Sequence, residues 1–254
     1  MKIIVIGGTG LAGAKVVARL TEHGHEAVSA SPSSGVNTLT GEGLAEVLTG
    51  ADVVVDVSNS PSYEASAVLS FFETATANLL AAEKEAGVAH HVLLSIVGLE
   101  DVPENGTFRA KLAQENLVKA SGIPYSIVRA TQFFEFVKAI AGMGTDGDTV
   151  RLAPALIRPI AADDVASAVG RTAAGAPLNG TLEVAGPEEF TVDALVRHTL
   201  EVRHDPRTVV TDPAAKYFGA TLTGSELVPA ADATLAATKF DDWLATLPPV
   251  VAAA

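Results

Sequence analysis

The chain has 254 residues, a formal net charge of −13 and no cysteine. Its length suits one domain with a small appendage that buries roughly three quarters of the unfolded surface, so no disulfide framework is needed. The lack of cysteine excludes a thiolate nucleophile, a cysteine zinc site and an iron–sulfur cluster. The acidic balance repels phosphate backbones and anionic membranes, which argues against nucleic-acid and membrane partners.

Met1 leads straight into the first strand, with no signal peptide expected. No unbroken apolar run reaches the roughly 20 residues that span a bilayer, so a cytoplasmic protein is expected. Lys2 is followed by Ile3, Ile4, Val5 and Ile6, a short β-branched run typical of a strand buried on both faces. A glycine turn ends it, and Val16, Val17 and Leu20 then carry helical period.

Between strand and helix, Gly8, Gly10 and Gly13 satisfy G-x-G-x-x-G, and Gly7, Gly10 and Gly13 satisfy a spacing of three. One glycine makes the tight turn, one lets a pyrophosphate approach the backbone, and one lets helix and strand pack closely. The helix start supplies unpaired N–H donors and about half a positive charge. Gly7, Thr9, Gly10, Leu11, Ala12 and Gly13 are therefore the expected dinucleotide cradle.

Residues 25–30 read as the second strand, whose far end should meet the adenosine ribose. An acidic residue there would favour NAD and an arginine NADP. The sequence has neither, only Ser31, Pro32, Ser33, Ser34 and Gly35. Without a carboxylate to repel a 2′-phosphate, and with the Ser31 and Ser33 hydroxyls free to donate to it, the balance leans to NADP. A short helix over 42–48 and a buried strand over 51–57 follow. Open α/β sheets bind ligands beyond the carboxyl ends of their strands, which places Val57, Ser58 and Asn59 beside the adenosine half.

A long helix from about 63 to 86, stopped at Gly87, crosses to a fourth strand over 88–95. His90 and His91 are neighbours on that strand, so they point to opposite faces and make a poor metal pair. A helix over 107–121, for which Thr107 is a candidate N-cap, and a strand over 123–129 come next. Successive βα units with helical crossovers define a doubly wound parallel sheet, a Rossmann-type α/β fold.

Strand-end Ser95, the run RAKLAQENLVKASGIPYSIVRATQF and the amino-terminal GGTGLAG together resemble the NmrA-like, atypical branch of the short-chain dehydrogenase/reductases. The resemblance covers residues 1 to about 190, including IRPIAADDVASAV and GTLEVAGPEEFTVDAL. It implies a dinucleotide-binding domain over 1–150 and a small C-terminal substrate lobe over 151–254 that does not fold by itself. It also implies an active helix bearing Y-x-x-x-K, with Ser95 and Lys111 at the cofactor. Lys111 fills the lysine place, but Thr107 stands where the tyrosine should be. An aliphatic hydroxyl is a poor proton donor, and losing a positioned acid costs about 10²- to 10⁴-fold.

NAD(P)H-dependent hydride transfer to a quinone or aromatic carbonyl, which needs little protein acid, is the leading functional expectation. Lys111 and Thr107 are its candidate catalytic residues, and Phe133 and Phe134 its candidate substrate contacts, with core packing the other reading of these rings. A non-enzymatic NAD(P)-binding redox sensor and a tailoring enzyme, even an oxygenase, acting on a polycyclic aromatic are the alternatives. A monomer or homodimer is expected.

Further along, 161–174 reads as a helix capped by Asp163 and Asp164, 181–185 as a strand, and Thr191 as a helix start. Trp243 is the expected anchor of a C-terminal helix, and the VVAAA tail is expected to fray.

Overall fold

A computed structural model describes residues 1–248; the VVAAA tail lies outside the described residues. In chain order β1 (Lys2–Ile6) leads through the glycine turn into α1 (Leu11–Glu22). There follow β2 (Glu26–Ala30), a 3-10 turn at Pro32–Ser34, α2 (Leu44–Val47), β3 (Val53–Asp56), α3 (Ala65–Ala86), β4 (His90–Ile96), α4 (Gly106–Ala120) and β5 (Tyr125–Ala130). A second 3-10 turn at Phe134–Phe136 enters α5 (Val137–Met143). Then come β6 (Thr145–Asp146), β7 (Thr149–Leu152), β8 (Leu156–Ile157), α6 (Ala162–Ala174), β9 (Gly180–Ala185), β10 (Phe190–Thr191), α7 (Val192–Val202), β11 (Thr208–Thr211), β12 (Thr234–Leu235) and α8 (Phe240–Leu244).

The main sheet has seven strands in the order β12-β9-β5-β4-β3-β1-β2, and all its pairings are parallel. This is the doubly wound Rossmann-type architecture. Because a parallel sheet is covered on both faces, β1 is apolar throughout. Ile3 and Val5 pack with Val16, Leu20, Val165 and Val169 of α1 and α6, while Ile4 and Ile6 pack with Leu44, Leu48 and Leu79 of the α2 and α3 side. From β1 the chain goes one way to β2 and returns the other way to β3. The crevice above the carboxyl ends of β1 and β3 is the switch point where such sheets bind ligands.

The 22-residue α3 is capped by the Glu64 carboxylate, which accepts the Ser66 and Ala67 amides, and ends at Gly87 in the left-handed region. Its mean hydropathy of 1.2 makes it the one described helix long and apolar enough to cross a membrane by length and composition. The absence of a long apolar run therefore understated this segment. In the fold it presents Val68, Phe72, Ala75, Leu79 and Leu80 to the interior, as a core helix does.

The chain beyond residue 150 is shared between two bodies. Here α6 lies against α1, and β9 and β12 extend the main sheet. The remainder, with the small sheets β11-β7-β6 and β10-β8, closes its own apolar core around Phe134, Ile140, Val196, Leu200, Tyr217, Leu227 and Phe240. Trp243 anchors α8 as expected, its ring 5.5 Å from Phe240 and 5.4 Å from Phe134.

Two expected caps are corrected. The N-cap of α4 is Asn105, whose Oδ1 accepts the amides of Thr107 and Phe108, so Thr107 is the second residue of the helix. Asp163 and Asp164 stand in the first turn of α6 without capping it. Asp163 instead accepts from Lys15 at 2.7 Å, and Asp164 from the Thr238 amide at 3.3 Å.

Candidate functional site

The glycine turn is packed too tightly for side chains. Gly7 has φ +78°, and a Cβ there would lie 2.9 Å from the Ser58 backbone. On Gly8 it would meet the Ser29 hydroxyl at 2.5 Å, and on Gly13 the Gly7 carbonyl oxygen at 2.1 Å. The turn thus locks together the carboxyl ends of β1, β2 and β3. Gly10 caps α1 without any side-chain bond, and the first backbone bond across the cap runs from the Ala14 N–H to the Gly10 carbonyl at 3.0 Å. The amides of Leu11, Ala12 and Gly13 precede that bond and have no acceptor among the described residues. Three unpaired donors at a helix start fit a pyrophosphate, and Thr9 is exposed beside them.

At the end of β2, Ser31 is buried and Ser33 exposed. Their hydroxyls lie 2.8 Å apart, and Ser34 closes the turn by accepting the Ser31 N–H at 2.9 Å. At the end of β3, Val57 and Ser58 are half-buried and Asn59 exposed. The Ser58 N–H donates to Asp56 Oδ1 at 2.9 Å, and Asn59 Oδ1 accepts the Ser60 N–H at 3.0 Å. Ser29, on β2 two residues before Ser31, keeps a buried hydroxyl with no partner among the described residues.

On α4, Lys111 is only 6% exposed. Its Nζ donates to the Leu94 carbonyl at 2.7 Å and to the Gln114 side-chain oxygen, and sits 4.7 Å above the Phe72 ring. Burial pushes this ammonium down to about 8, with Asp56 and Glu115 pulling the other way. An ammonium has three N–H donors, and these two bonds use two of them. Ser95 donates to Glu115 Oε1 at 2.7 Å. Glu115 is fully buried and also accepts from Arg129 Nε at 2.8 Å and from Lys119 at 2.9 Å. Arg129 reaches on to Glu100 at 2.6 Å. Burial works against the Glu115 carboxylate, but the bonds from Arg129, Ser95 and Lys119 hold it below the usual range. Thr107 is half-buried at the start of the helix.

The phenylalanines part company. Phe134 is enclosed, its ring 5.0 Å from Phe240, so its place is the lobe core and not a substrate surface. Phe133 is half-buried against the sheet's α1 and α6 side. Phe136 and Phe218 are both exposed, with ring centroids 6.1 Å apart. His90 and His91 do face opposite ways: His90 Nε2 pairs with the Ser126 hydroxyl at 2.9 Å, and His91 Nδ1 with Glu83 at 2.9 Å.

Sequence reasoning missed Asp56, Gln114, Glu115 and Arg129. One signal was available, since Lys111, Glu115 and Lys119 recur every four residues on one helix face; that Arg129 is the register partner of Ser95 emerges only in the fold.

A turn that offers unpaired amides at a switch point defines a dinucleotide-binding Rossmann protein. A family model described as NAD(P)H-binding matches residues 7–173, and the chain belongs to that family. A photosystem II assembly factor, Ycf39, from Synechocystis sp. is 24% identical over 149 residues, covering 53% of this chain and 46% of the relative. The corresponding factor from Cyanophora paradoxa is 26% identical over the same span. The chain thus spans about half the length of the curated relatives it matches. Among solved structures, MoeE5 in complex with UDP-glucuronic acid and NAD shares the fold with TM-score 0.77 and 20% identity, covering 97% of both chains. A triphenylmethane reductase from Citrobacter sp. does so with TM-score 0.64 and 18% identity, covering 84% of this chain and 79% of the other.

Proposed function

We propose that this NAD(P)H-binding protein passes hydride to a quinone or aromatic carbonyl. The observation that carries this reading is the absence of a phenol from α4. Of the three tyrosines, Tyr63 is 86% exposed before α3 and Tyr125 stands at the amino end of β5. Tyr217 is enclosed in the lobe core, where burial pushes its phenol up and makes it a weaker acid. An acceptor whose reduced oxygen can take its proton from water needs none of them. The exposed pair Phe136 and Phe218 offers flat apolar surface close to the carboxyl end of β5, and the triphenylmethane reductase that shares the fold is named for an aromatic dye.

The bound dinucleotide would supply the hydride. The chain's part is to hold the diphosphate on the amides of Leu11, Ala12 and Gly13, and to offer the remaining Lys111 N–H to the nicotinamide ribose. Ser31 and Ser33, with no carboxylate beside them, favour NADPH. Stopped-flow loss of NADPH absorbance against a panel of quinones, aromatic aldehydes and aliphatic ketones tests the reading. Turnover with the aromatic classes alone is expected, and no turnover with any acceptor overturns it.

A second reading, a non-enzymatic NAD(P)-binding regulator, draws on two observations: Lys111 and Ser95 are each engaged in structural bonds, and relatives are named as assembly factors. Calorimetry separates the two. Unequal affinity for the oxidised and reduced dinucleotide, with no turnover, favours the regulator.

A further inference from the structure

The carboxyl end of β5 holds polar groups with nothing to bind. Gln132 is 9% exposed, yet neither its Oε1 nor its Nε2 has a hydrogen-bond partner among the described residues, and the hydroxyl of the adjoining Thr131 is likewise buried and unpartnered. Three backbone bonds pin the chain around them. Thr131 N–H donates to the Val184 carbonyl at 3.1 Å, the Gln132 carbonyl accepts the Ile160 N–H at 2.9 Å, and Phe134 N–H donates to the Ile160 carbonyl at 2.8 Å. The side chains are therefore held in place by a clamped strand end while their own polar atoms stay unused. A buried amide left without partners is destabilising, and such a group calls for a ligand or a water to explain it.

Its position says which end of a dinucleotide could reach it. The diphosphate belongs over β1 and the adenosine over β2, so the other half must run across β3 toward β4 and β5. Ala130, two residues before Gln132, is the register partner of Ile96, which directly follows Ser95. Gln132 thus stands one strand from Ser95, at the nicotinamide end. A side-chain amide with both its donor and its acceptor free is complementary to a primary carboxamide, which offers the same two groups in reverse.

We propose that Gln132 is the residue that reads the nicotinamide carboxamide: Nε2 donates to its carbonyl oxygen and Oε1 accepts from its NH₂, which fixes the rotation of the ring. This rests on dinucleotide binding by the family and not on the identity of the acceptor.

The test uses binding to the full chain. NADPH, the analogue in which acetyl replaces the carboxamide, and 2′-phospho-ADP-ribose, which lacks the nicotinamide, are titrated by calorimetry onto wild type, Gln132→Leu and Gln132→Glu. Two hydrogen bonds of about 1 kcal/mol each correspond to roughly 10- to 30-fold in affinity. Wild type should prefer the carboxamide to the acetyl compound by about half of that in logarithm. Gln132→Leu should bind NADPH about 10- to 30-fold more weakly and lose the preference, while all three proteins bind phospho-ADP-ribose equally. Gln132→Glu, which keeps the shape and loses the donor, should also weaken NADPH. Unchanged NADPH affinity in Gln132→Leu, as a resident water in place of the ligand would give, overturns the proposal. So does a preference that survives the substitution, or an equal loss with phospho-ADP-ribose. Failure of wild type to turn over any quinone leaves these binding outcomes intact, and failure of wild type to bind any dinucleotide overturns both readings together.

Discussion

Gln114 donates its side-chain amide to Asp56 Oδ2 at 2.9 Å, across 58 positions of sequence, while its oxygen accepts from Lys111. Asp56 in turn holds the Ser58 N–H, and Ser58 abuts Gly7. The Lys111 ammonium is thereby linked through two side chains to the turn that carries the diphosphate. With this group pushed down to about 8, its charge is present below that pH and lost above it. If Lys111 serves the cofactor ribose, kcat/KM for quinone reduction should fall as pH rises through about 8. Lys111→Arg, whose guanidinium stays charged, should retain some activity and lack that alkaline limb. An identical limb in both proteins would remove Lys111 from the role.

Glu115 and Ser95 should differ sharply in cost. Glu115→Ala strips Arg129 of a fully buried partner and should destabilise by about 3–5 kcal/mol. Ser95→Ala removes one bond to a charged group, about 1.5–3 kcal/mol. Urea unfolding of both variants and of the double substitution measures this, and the pair should be less than additive because the two side chains share one bond.

The glycine turn makes a graded prediction. Gly13→Ala places a methyl 2.1 Å from the Gly7 carbonyl oxygen, whereas Gly10→Ala places one at 3.3 Å. Gly13→Ala should abolish dinucleotide binding and lower Tm. Gly10→Ala should fold near wild type and bind more weakly, since its backbone φ of −78° suits any residue. Calorimetry with NADPH and thermal unfolding check both.

Burial works against the charged ring of His91, but Glu83, with Asp56 behind it, carries its pKa above the ordinary value, against the opposing charge of Lys111. A histidine raised by folding gives stability that is complete below its unfolded pKa, about 6.5, and lost as pH rises through the folded value. Stability should therefore fall with rising pH over the interval above 6.5, and His91→Gln should flatten that slope. His90, on the other face, is pushed down to about 4 by burial and by the neighbouring His91; its titration near 6.5 in the unfolded chain gives a slope of opposite sign at the low end of this interval, so the His91 effect is read as the difference in slope between wild type and His91→Gln.

Phe134→Ala should cost about 3–5 kcal/mol, as large-to-small changes in a packed core do. Phe136→Ala, at the surface, should change stability by less than about 0.5 kcal/mol and raise KM for an aromatic acceptor. Equal effects on stability would contradict the different places of these two rings.

Local sequence determined what depends on local chemistry. An unbroken Ile-Ile-Val-Ile run followed by glycines at fixed spacing can form little but a buried strand and a tight turn onto a helix, because backbone sterics leave few other conformations for that pattern. The parallel, doubly wound layering follows from helical crossovers between apolar strands. Tertiary structure alone decided which polar groups meet. Asp56 and Gln114, or Ser95 and Arg129, are distant in the chain, and only strand order and register bring them together. The same holds for Phe134 and Gln132, two residues apart in one loop: the first is consumed by the lobe core, where Phe240 and Trp243 close over its ring, and the second is left buried with both amide atoms free. Side-chain burial is set by what the rest of the chain places against a residue, and no spacing rule within a loop encodes that.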